Sequence, residues 1–312
     1  MLNIHGEMIE KMKKMDEVLQ KNFLYLYNEP KEIRQKLQKF FVQIRQLEKK
    51  DSRILSNWLE NKQAGAVDGS VNRTKGDEPY VIYMFQALAK TMSGKEVRKF
   101  AIYCPLLDEK QKEEESQLIR TKQMSSLELA AAKQLLEEER LKILLMDGSL
   151  THYQIEAKRE WEELKKAALE KNVLLAGVSE SVRTRQLVKK DAEWEKIYPL
   201  DRDLLFGVLE QGEMVIGGEG KGDVFNTWLR PSSSPDIIGV DVLNEQKEYV
   251  EDICQFIYML TPKHGRGIPL FLDIVDKEVR LTDAVVEALV EQYISPELKQ
   301  RFFVSKRSER LF

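Results

Sequence analysis

Leu141-Lys142-Ile143-Leu144-Leu145-Met146-Asp147-Gly148-Ser149 runs from a short, largely apolar stretch into an acid, a glycine and a hydroxyl. The stretch is short and largely apolar and stops at a turn signal, so it reads as a strand. Its end delivers Asp147, Gly148 lets the backbone turn sharply, and Ser149 offers a hydroxyl to a local hydrogen bond or to a phosphate. The same grammar occurs earlier, where Ala64-Gly65-Ala66-Val67 stops at Asp68-Gly69-Ser70. An aspartate at the end of a buried strand is poorly solvated and needs a partner, for which a divalent cation is a natural choice. Two such strands lying side by side would converge two carboxylates, which can fix Mg²⁺ or Mn²⁺ for phosphodiester hydrolysis. Asp-Gly is also a turn signal, and spacing alone does not choose between the two.

Working outward, Tyr80 to Phe85 is rich in β-branched and aromatic residues, and Lys99 to Tyr103 is a further strand ended by Pro105. With 64–67 they predict an antiparallel meander. Residues 109–140 predict a long charged helix with Leu118, Leu127, Leu129, Leu135 and Leu136 as its apolar positions. A helix at 153–171 ends at Asn172, a strand follows at 173–178, and a helix is expected at about 181–195. Residues 214–216 and 224–229 pair as a hairpin. Then come a strand at 236–243, an amphipathic helix at 245–260, a strand at 268–275 and a helix at 282–293 capped by Thr282. Three strands followed by helix–strand alternation predict a mixed α/β sheet with helices packed on it. The glycine-rich loop from Gly217 to Gly222 has no Ser or Thr after its lysine and opens no helix, so it reads as a hairpin turn rather than a phosphate loop.

Residues 7–60 read as helical, with a break at Pro30. Ile33, Leu37, Phe40, Ile44, Leu47, Ile54 and Trp58 form a heptad-like stripe with Asp51 in the missing position. A helix packed on its own domain, a dimer contact and a basic arm touching DNA all fit that stripe. The domain division expected is an N-terminal helical region at 1–60, a main domain at 61–300 and a C-terminal tail at 301–312, loosely held over 306–312.

The 312 residues allow one large domain, or one domain plus a helical region. With 42% hydrophobic and 32% charged residues the chain is globular with a heavily charged surface. A net charge of −3 argues against bulk coating of DNA, so any nucleic-acid contact must use a local patch or channel. Cys104 and Cys254 make neither a disulfide framework nor a zinc site, and His5, His152 and His264 form no cluster. No apolar run approaches the ~20 residues that span a bilayer. The stretch from Met1 to Glu10 carries His5, Glu7 and Glu10, unlike a signal peptide. A cytoplasmic protein is expected.

The order of motifs resembles the NurA nucleases, end-processing enzymes that work with a HerA-type hexameric ATPase. Ala66-Val67-Asp68-Gly69-Ser70 is similar to the family's first motif and Leu144 to Leu150, around Asp147, to its second. Glu128, in Ser-Leu-Glu-Leu-Ala-Ala, best matches the family's helix glutamate, with Glu137 and Glu138 as alternatives. Leu175-Ala176-Gly177-Val178-Ser179 matches the following strand. Ile268-Pro269-Leu270 and the segment Asp276 to Thr282 match the last motif. The resemblance covers about 64 to 290. It implies a ribonuclease-H-like α/β fold, a homodimer, DNA as substrate and a HerA-like ATPase as partner. It also implies Mn²⁺ or Mg²⁺ held by Asp68, Glu128, Asp147 and Asp276, with water as the nucleophile. Ser70 and Ser149 would orient the site or meet phosphate.

Two positions depart from the pattern. Asp276 stands where the family usually has His, with Asp273 as an alternative ligand, and Glu180 stands where it often has Lys. Arg183, Arg185, Lys189 and Lys190 on the next expected helix would supply the missing phosphate contact. These departures motivate a second reading, a catalytically weakened scaffold that binds DNA ends or docks the ATPase. A third is an α/β interaction module unrelated to nucleic acid. His152 is a further candidate ligand or proton shuttle. Tyr153, Trp161, Trp194 and Trp228 are candidates either for base stacking or for the core.

Overall fold

The computed structural model describes residues 5–21, 29–40, 42–108, 113–220 and 222–303. The tail at 306–312, the first residues of the long helix at 109–112, and Lys221 lie outside the described residues. In chain order the main elements are α1 (Gly6–Leu19), α2 (Pro30–Lys39), β1 (Gln43–Gln46), α3 (Ser52–Leu59), β2 (Gln63–Arg73), β3 (Tyr83–Thr91) and β4 (Glu96–Tyr103). They continue with α4 (Glu113–Glu138), β5 (Leu141–Asp147), α5 (Leu150–Glu156), α6 (Lys158–Glu170), β6 (Leu174–Ser179), α7 (Ala192–Ile197) and α8 (Asp201–Leu205). The last are β7 (Glu213–Glu219), β8 (Val224–Leu229), β9 (Ile238–Leu243), α9 (Val250–Leu260), α10 (Leu270–Val279) and α11 (Asp283–Tyr293).

The strands form one nine-stranded mixed sheet in the order β1-β7-β8-β9-β6-β5-β2-β3-β4. The block β4-β3-β2-β5-β6 is ribonuclease-H-like: β2, β3 and β4 are an antiparallel meander, and β5 and β6 run parallel to β2. Helices cover both faces. On one, Ala64, Ala66, Ile143, Leu145 and Ala176 pack under Ile253, Ile257, Leu272 and Val275 of α9 and α10. On the other, Val67, Leu144, Met146 and Leu175 pack under Leu129, Leu135, Leu136, Trp161 and Leu164 of α4 and α6. Neighbouring strand residues point to opposite faces, and that alternation divides the apolar runs between the two layers. Cys254 is buried in the first of these layers, and Cys104 is also a free thiol.

Several elements differ from the sequence-based expectation, each for a visible reason. The heptad-like stripe does not run along one helix. Ile33 and Leu37 are buried beneath α2 against Trp194 and Trp228, while Ile44 lies in β1, paired with Val215 at the edge of the sheet. Pairing with an available sheet edge overrides the local helical period there. The expected helix at 181–195 is an irregular segment followed by α7. Buried Asp201 accepts hydrogen bonds from the backbone N–H groups of Gln186, Leu187 and Val188 at 2.8, 2.9 and 2.9 Å, which holds them in a turn. The helix read at 153–171 is two helices, α5 and α6, broken at Ala157.

The expected strand at 268–275 is the helix α10. Its buried residues Phe271, Leu272, Val275 and Val279 recur at helical spacing. Pro269 sits at its N-cap, a position where proline's missing N–H costs nothing. The Gly217 region is the hairpin β7–β8, as expected.

Candidate active site

Asp147 closes β5, as its sequence implies, but Asp68 does not close β2. That strand continues through Asp68-Gly69-Ser70 to Arg73, because β3 pairs with it all the way, from Gly65↔Thr91 to Arg73↔Tyr83. The parallel neighbour β5 pairs only as far as Val67↔Met146. The next residues in that register are Asp68 and Asp147, so the two carboxylates stand side by side where the β2–β5 pairing ends. Open α/β sheets commonly bind ligands beyond the carboxyl ends of their parallel strands.

Glu128 reaches the same place from α4, on the opposite face of the sheet. It belongs to a buried helical stripe with Ser125, Leu129, Ala132, Leu135 and Leu136. It touches the site because Gly69 has no side chain: a Cβ there would stand 2.2 Å from Glu128 Oε1 and 2.3 Å from Met124 Cε. Gly69 therefore serves a close approach rather than a turn. Gly148 is the residue that turns, at φ +104°, and its N–H donates to the Val178 carbonyl at 2.8 Å. Asp276 arrives from α10, whose C-terminal end is strapped to β2 and β3. Ser70 Oγ accepts from Leu281 N at 3.0 Å, Asn72 Nδ2 donates to Leu281 O at 2.9 Å, and Gln86 Nε2 donates to Val279 O at 3.0 Å.

The acids crowd one another. Burial pushes Asp68 up to about 7, reinforced by the negative charges of Asp147 and Asp276, although Gly69 N–H donates to its carboxylate at 2.7 Å. Burial and the charge of Asp276 push Asp147 up to about 6, against the opposing pull of Arg266. Burial pushes Glu128 up to about 8, with Asp68, Asp147 and Glu156 adding repulsion. Asp68 and Asp147 lie close enough to act on each other's carboxyls, and the two titrate as a pair.

Among the described residues, no three ligating side chains already enclose a common point as a finished metal cage does. The donor set nevertheless fits a hard divalent cation: oxygen only, three carboxyls held up by burial and mutual repulsion, and a fourth at the rim.

The other sequence candidates fall into place around this centre. Ser149 Oγ donates to Asp241 at 2.6 Å, and Leu150 N–H donates to the same oxygen at 3.0 Å, which anchors the turn after Asp147. Asp241, buried on β9 and also bonded by Asn226 Nδ2 at 2.6 Å, was not legible as part of the site. Tyr153 is a core residue whose hydroxyl donates to the Asp147 carbonyl at 2.9 Å and contacts Glu128. Its place one helical turn into α5 was the only signal. Trp161, Trp194 and Trp228 are fully buried. His152 contacts Glu156 at 2.8 Å and Ser125 at 3.2 Å, outside the acid cluster. Glu137 and Glu138 are exposed at the far end of α4, so Glu128 is the glutamate brought to the site.

Arg183, Arg185 and Lys189 are exposed on the irregular segment after β6 rather than on one helix, and Arg185 lies 3.6 Å from Glu195. Arg266, which the sequence reading passed over, bridges Glu180 at 3.2 Å and Asp273 at 2.7 Å, and lies 3.9 Å from Asp276.

The model of the NurA domain matches residues 62–281, more than half of the chain and all four acids. The chain belongs to the NurA family. Three solved NurA structures share its fold. One described simply as NurA is 12% identical, covers 95% of this chain and 100% of its own, and superposes with a TM-score of 0.53. NurA with manganese is 13% identical, covers 92% and 99%, and gives 0.52. NurA bound to dAMP and manganese is 13% identical, covers 96% and 100%, and gives 0.50. At such identities the likeness is one of fold. No curated protein matches the chain by sequence.

Proposed function

We propose that this chain is a metal-dependent deoxyribonuclease that hydrolyses phosphodiester bonds during DNA end processing. The observation that carries the reading is the side-by-side placement of Asp68 and Asp147 at the mouth of the sheet, with Glu128 and Asp276 brought to them from opposite faces. Asp68, Asp147, Glu128 and Asp276 would hold Mn²⁺ or Mg²⁺. A bound cation of this kind polarises the phosphate and lowers the pKa of water for in-line attack. To serve as ligands Asp68 and Asp147 would both have to be deprotonated, against the burial and repulsion that raise their carboxyls. Tyr153 and Asp241 keep the Asp147 turn in place, and Ser70 keeps the end of α10 in place. Ser149 acts through Asp241 and needs no nucleophilic role. Arg183 and Lys189, exposed just beyond β6, are proposed to meet the DNA backbone, with Arg185 partly engaged by Glu195.

A HerA-like ATPase as partner and a homodimer belong to the same proposal and draw their support from family membership. So does a cytoplasmic setting, with which two free cysteines agree. Among the described residues no helix is long and apolar enough to cross a membrane. The domain division proposed is a catalytic unit over 61–300, an N-terminal region at 1–60 that adds β1 to its sheet and packs α2 on it, and a tail at 301–312.

The decisive test is degradation of end-labelled linear DNA in Mn²⁺ by the wild type, Asp68→Asn and Asp147→Asn. Wild type is expected to degrade the DNA, and each variant to stay folded and lose about a hundredfold or more of the activity. The scaffold reading has one observation in its favour: Asp276 is already paired with Arg280 at 3.0 Å. If wild type is inert with and without a HerA-like partner, and Mn²⁺ does not raise its melting temperature, that reading replaces this one.

A further inference from the structure

We infer that Arg266 is a phosphate-contacting residue of this site, held at its rim to receive a DNA phosphate beside Asp276. The inference rests on the nuclease reading and adds a residue that the sequence motifs do not contain.

Arg266 comes from the loop between α9 and α10, in His264-Gly265-Arg266-Gly267. Gly265 has φ +154° and Gly267 φ +92°, backbone that side chains disfavour, so the chain bends on both sides of the arginine and sets it out from the loop. Two anchors from different elements hold the guanidinium. Asp273 of α10 accepts from its Nε at 3.2 Å and its Nη2 at 2.7 Å, and Glu180, at the end of β6, accepts from its Nη1 at 3.2 Å. Those bonds occupy three of the five N–H donors of a guanidinium, leaving two for a ligand.

The side chain is about half exposed, at 48%, and Asp276 lies 3.9 Å away. Its charge also reaches Asp147, whose carboxyl it pulls down against the surrounding acids. A fixed, always-charged fork beside a carboxylate cluster matches the geometry of a phosphate diester, which it can grip with two parallel hydrogen bonds. A purely structural role explains little, since half-exposed ion pairs add little to stability. The acids that orient Arg266 also keep it from collapsing onto Asp68 and Asp147, so a cation and a phosphate can be bound side by side.

The test compares wild type, Arg266→Lys and Arg266→Ala. Binding of a fluorescein-labelled blunt DNA duplex is followed by anisotropy in Ca²⁺ over a range of KCl, and melting temperature is followed with and without Mn²⁺. Arg266→Ala is expected to weaken DNA binding about tenfold and to lower the salt dependence of log Kd by about one. Arg266→Lys should restore the salt slope but only part of the affinity, because an ammonium cannot grip with two parallel bonds. Both variants should keep the Mn²⁺-induced rise in melting temperature. Wild-type affinity and salt slope in Arg266→Ala, in a chain whose parent cuts DNA, would overturn the inference and leave the nuclease reading intact. Loss of the Mn²⁺ shift in Arg266→Ala would also overturn it, by making Arg266 a support for the metal ligands. A wild type that neither binds nor cuts DNA removes the nuclease reading and this inference together.

Discussion

Glu128 and Gly69 depend on each other, and the smaller residue sets the tolerance of the site. The absent Cβ at position 69 leaves the space that Glu128 Oε1 fills. Gly69→Ala is therefore expected to push the glutamate out of the cluster. Such overpacking should cost about 1–3 kcal/mol in stability, and the Mn²⁺-induced rise in melting temperature should vanish in a chain that still folds. An unchanged rise, read by differential scanning fluorimetry, would mean that Glu128 is no ligand. The raised carboxyls make a second residue-level prediction. Asp68 at about 7, Asp147 at about 6 and Glu128 at about 8 all titrate higher folded than unfolded, so the folded chain holds extra protons from roughly pH 4 to pH 8. Their contribution to the metal-free fold is full below about pH 4 and is lost as the pH rises through these values. Metal uptake must expel the same protons. The Mn²⁺ concentration that gives half of the stabilisation should fall steadily from pH 6 to pH 8, and in Asp68→Asn that dependence should flatten. The two Asp-Gly-Ser motifs announced Asp68 and Asp147 because an acid after an apolar run stands out. Glu128 was singled out only by the family resemblance, because its place in a buried stripe with Ser125, Leu129 and Ala132 shows in the fold rather than in the scattered apolar positions of the helix. Arg266 and Asp241 were not legible, because their roles come from contacts between segments far apart in the chain, and Tyr153 was legible only as a stacking or core candidate, not as a partner of Asp147.

Elements were readable where local pattern and tertiary environment agree. The run from Leu141 to Met146 is apolar on both sides because helices cover both faces of the sheet there. The stretch at 268–275 failed the same test for the opposite reason. A helix buried along much of its surface also shows a continuous apolar run, and the helical recurrence of Phe271, Leu272, Val275 and Val279 was the better guide. The segment after β6 shows how one side chain can decide an element. Without the Asp201 carboxylate, the N–H groups of Gln186, Leu187 and Val188 lose their acceptor. Asp201→Ala is expected to destabilise the chain by about 3 kcal/mol, seen as a lowered urea midpoint, with the Mn²⁺-induced shift retained. A midpoint within error of wild type would mean that the turn holds itself.

At the scale of the whole molecule, the alternation of strands and helices was enough to announce a mixed sheet. It did not announce the extent of that sheet. The four strands β9, β8, β7 and β1 continue the ribonuclease-H-like block across its β6 edge, and β1 comes from a region whose sequence has a helical period. They place Asp241 against β6, so the sheet extension supports the turn that carries Asp147. The carboxylate crowd at the centre has a consequence for the life of the protein as well as for its chemistry. Repulsion left unrelieved at neutral pH lowers the free energy needed to open the chain, and a bound cation would restore it by mass action. Proteolysis of a transiently opened chain tracks how often it opens. With trypsin, a protease that uses no metal in catalysis, Mn²⁺ should slow digestion of wild type at pH 8 and leave that of Asp147→Asn unchanged. Equal digestion of wild type with and without the ion would sink the idea. In a cell, the turnover of a protein of the proposed kind would register the supply of divalent cation.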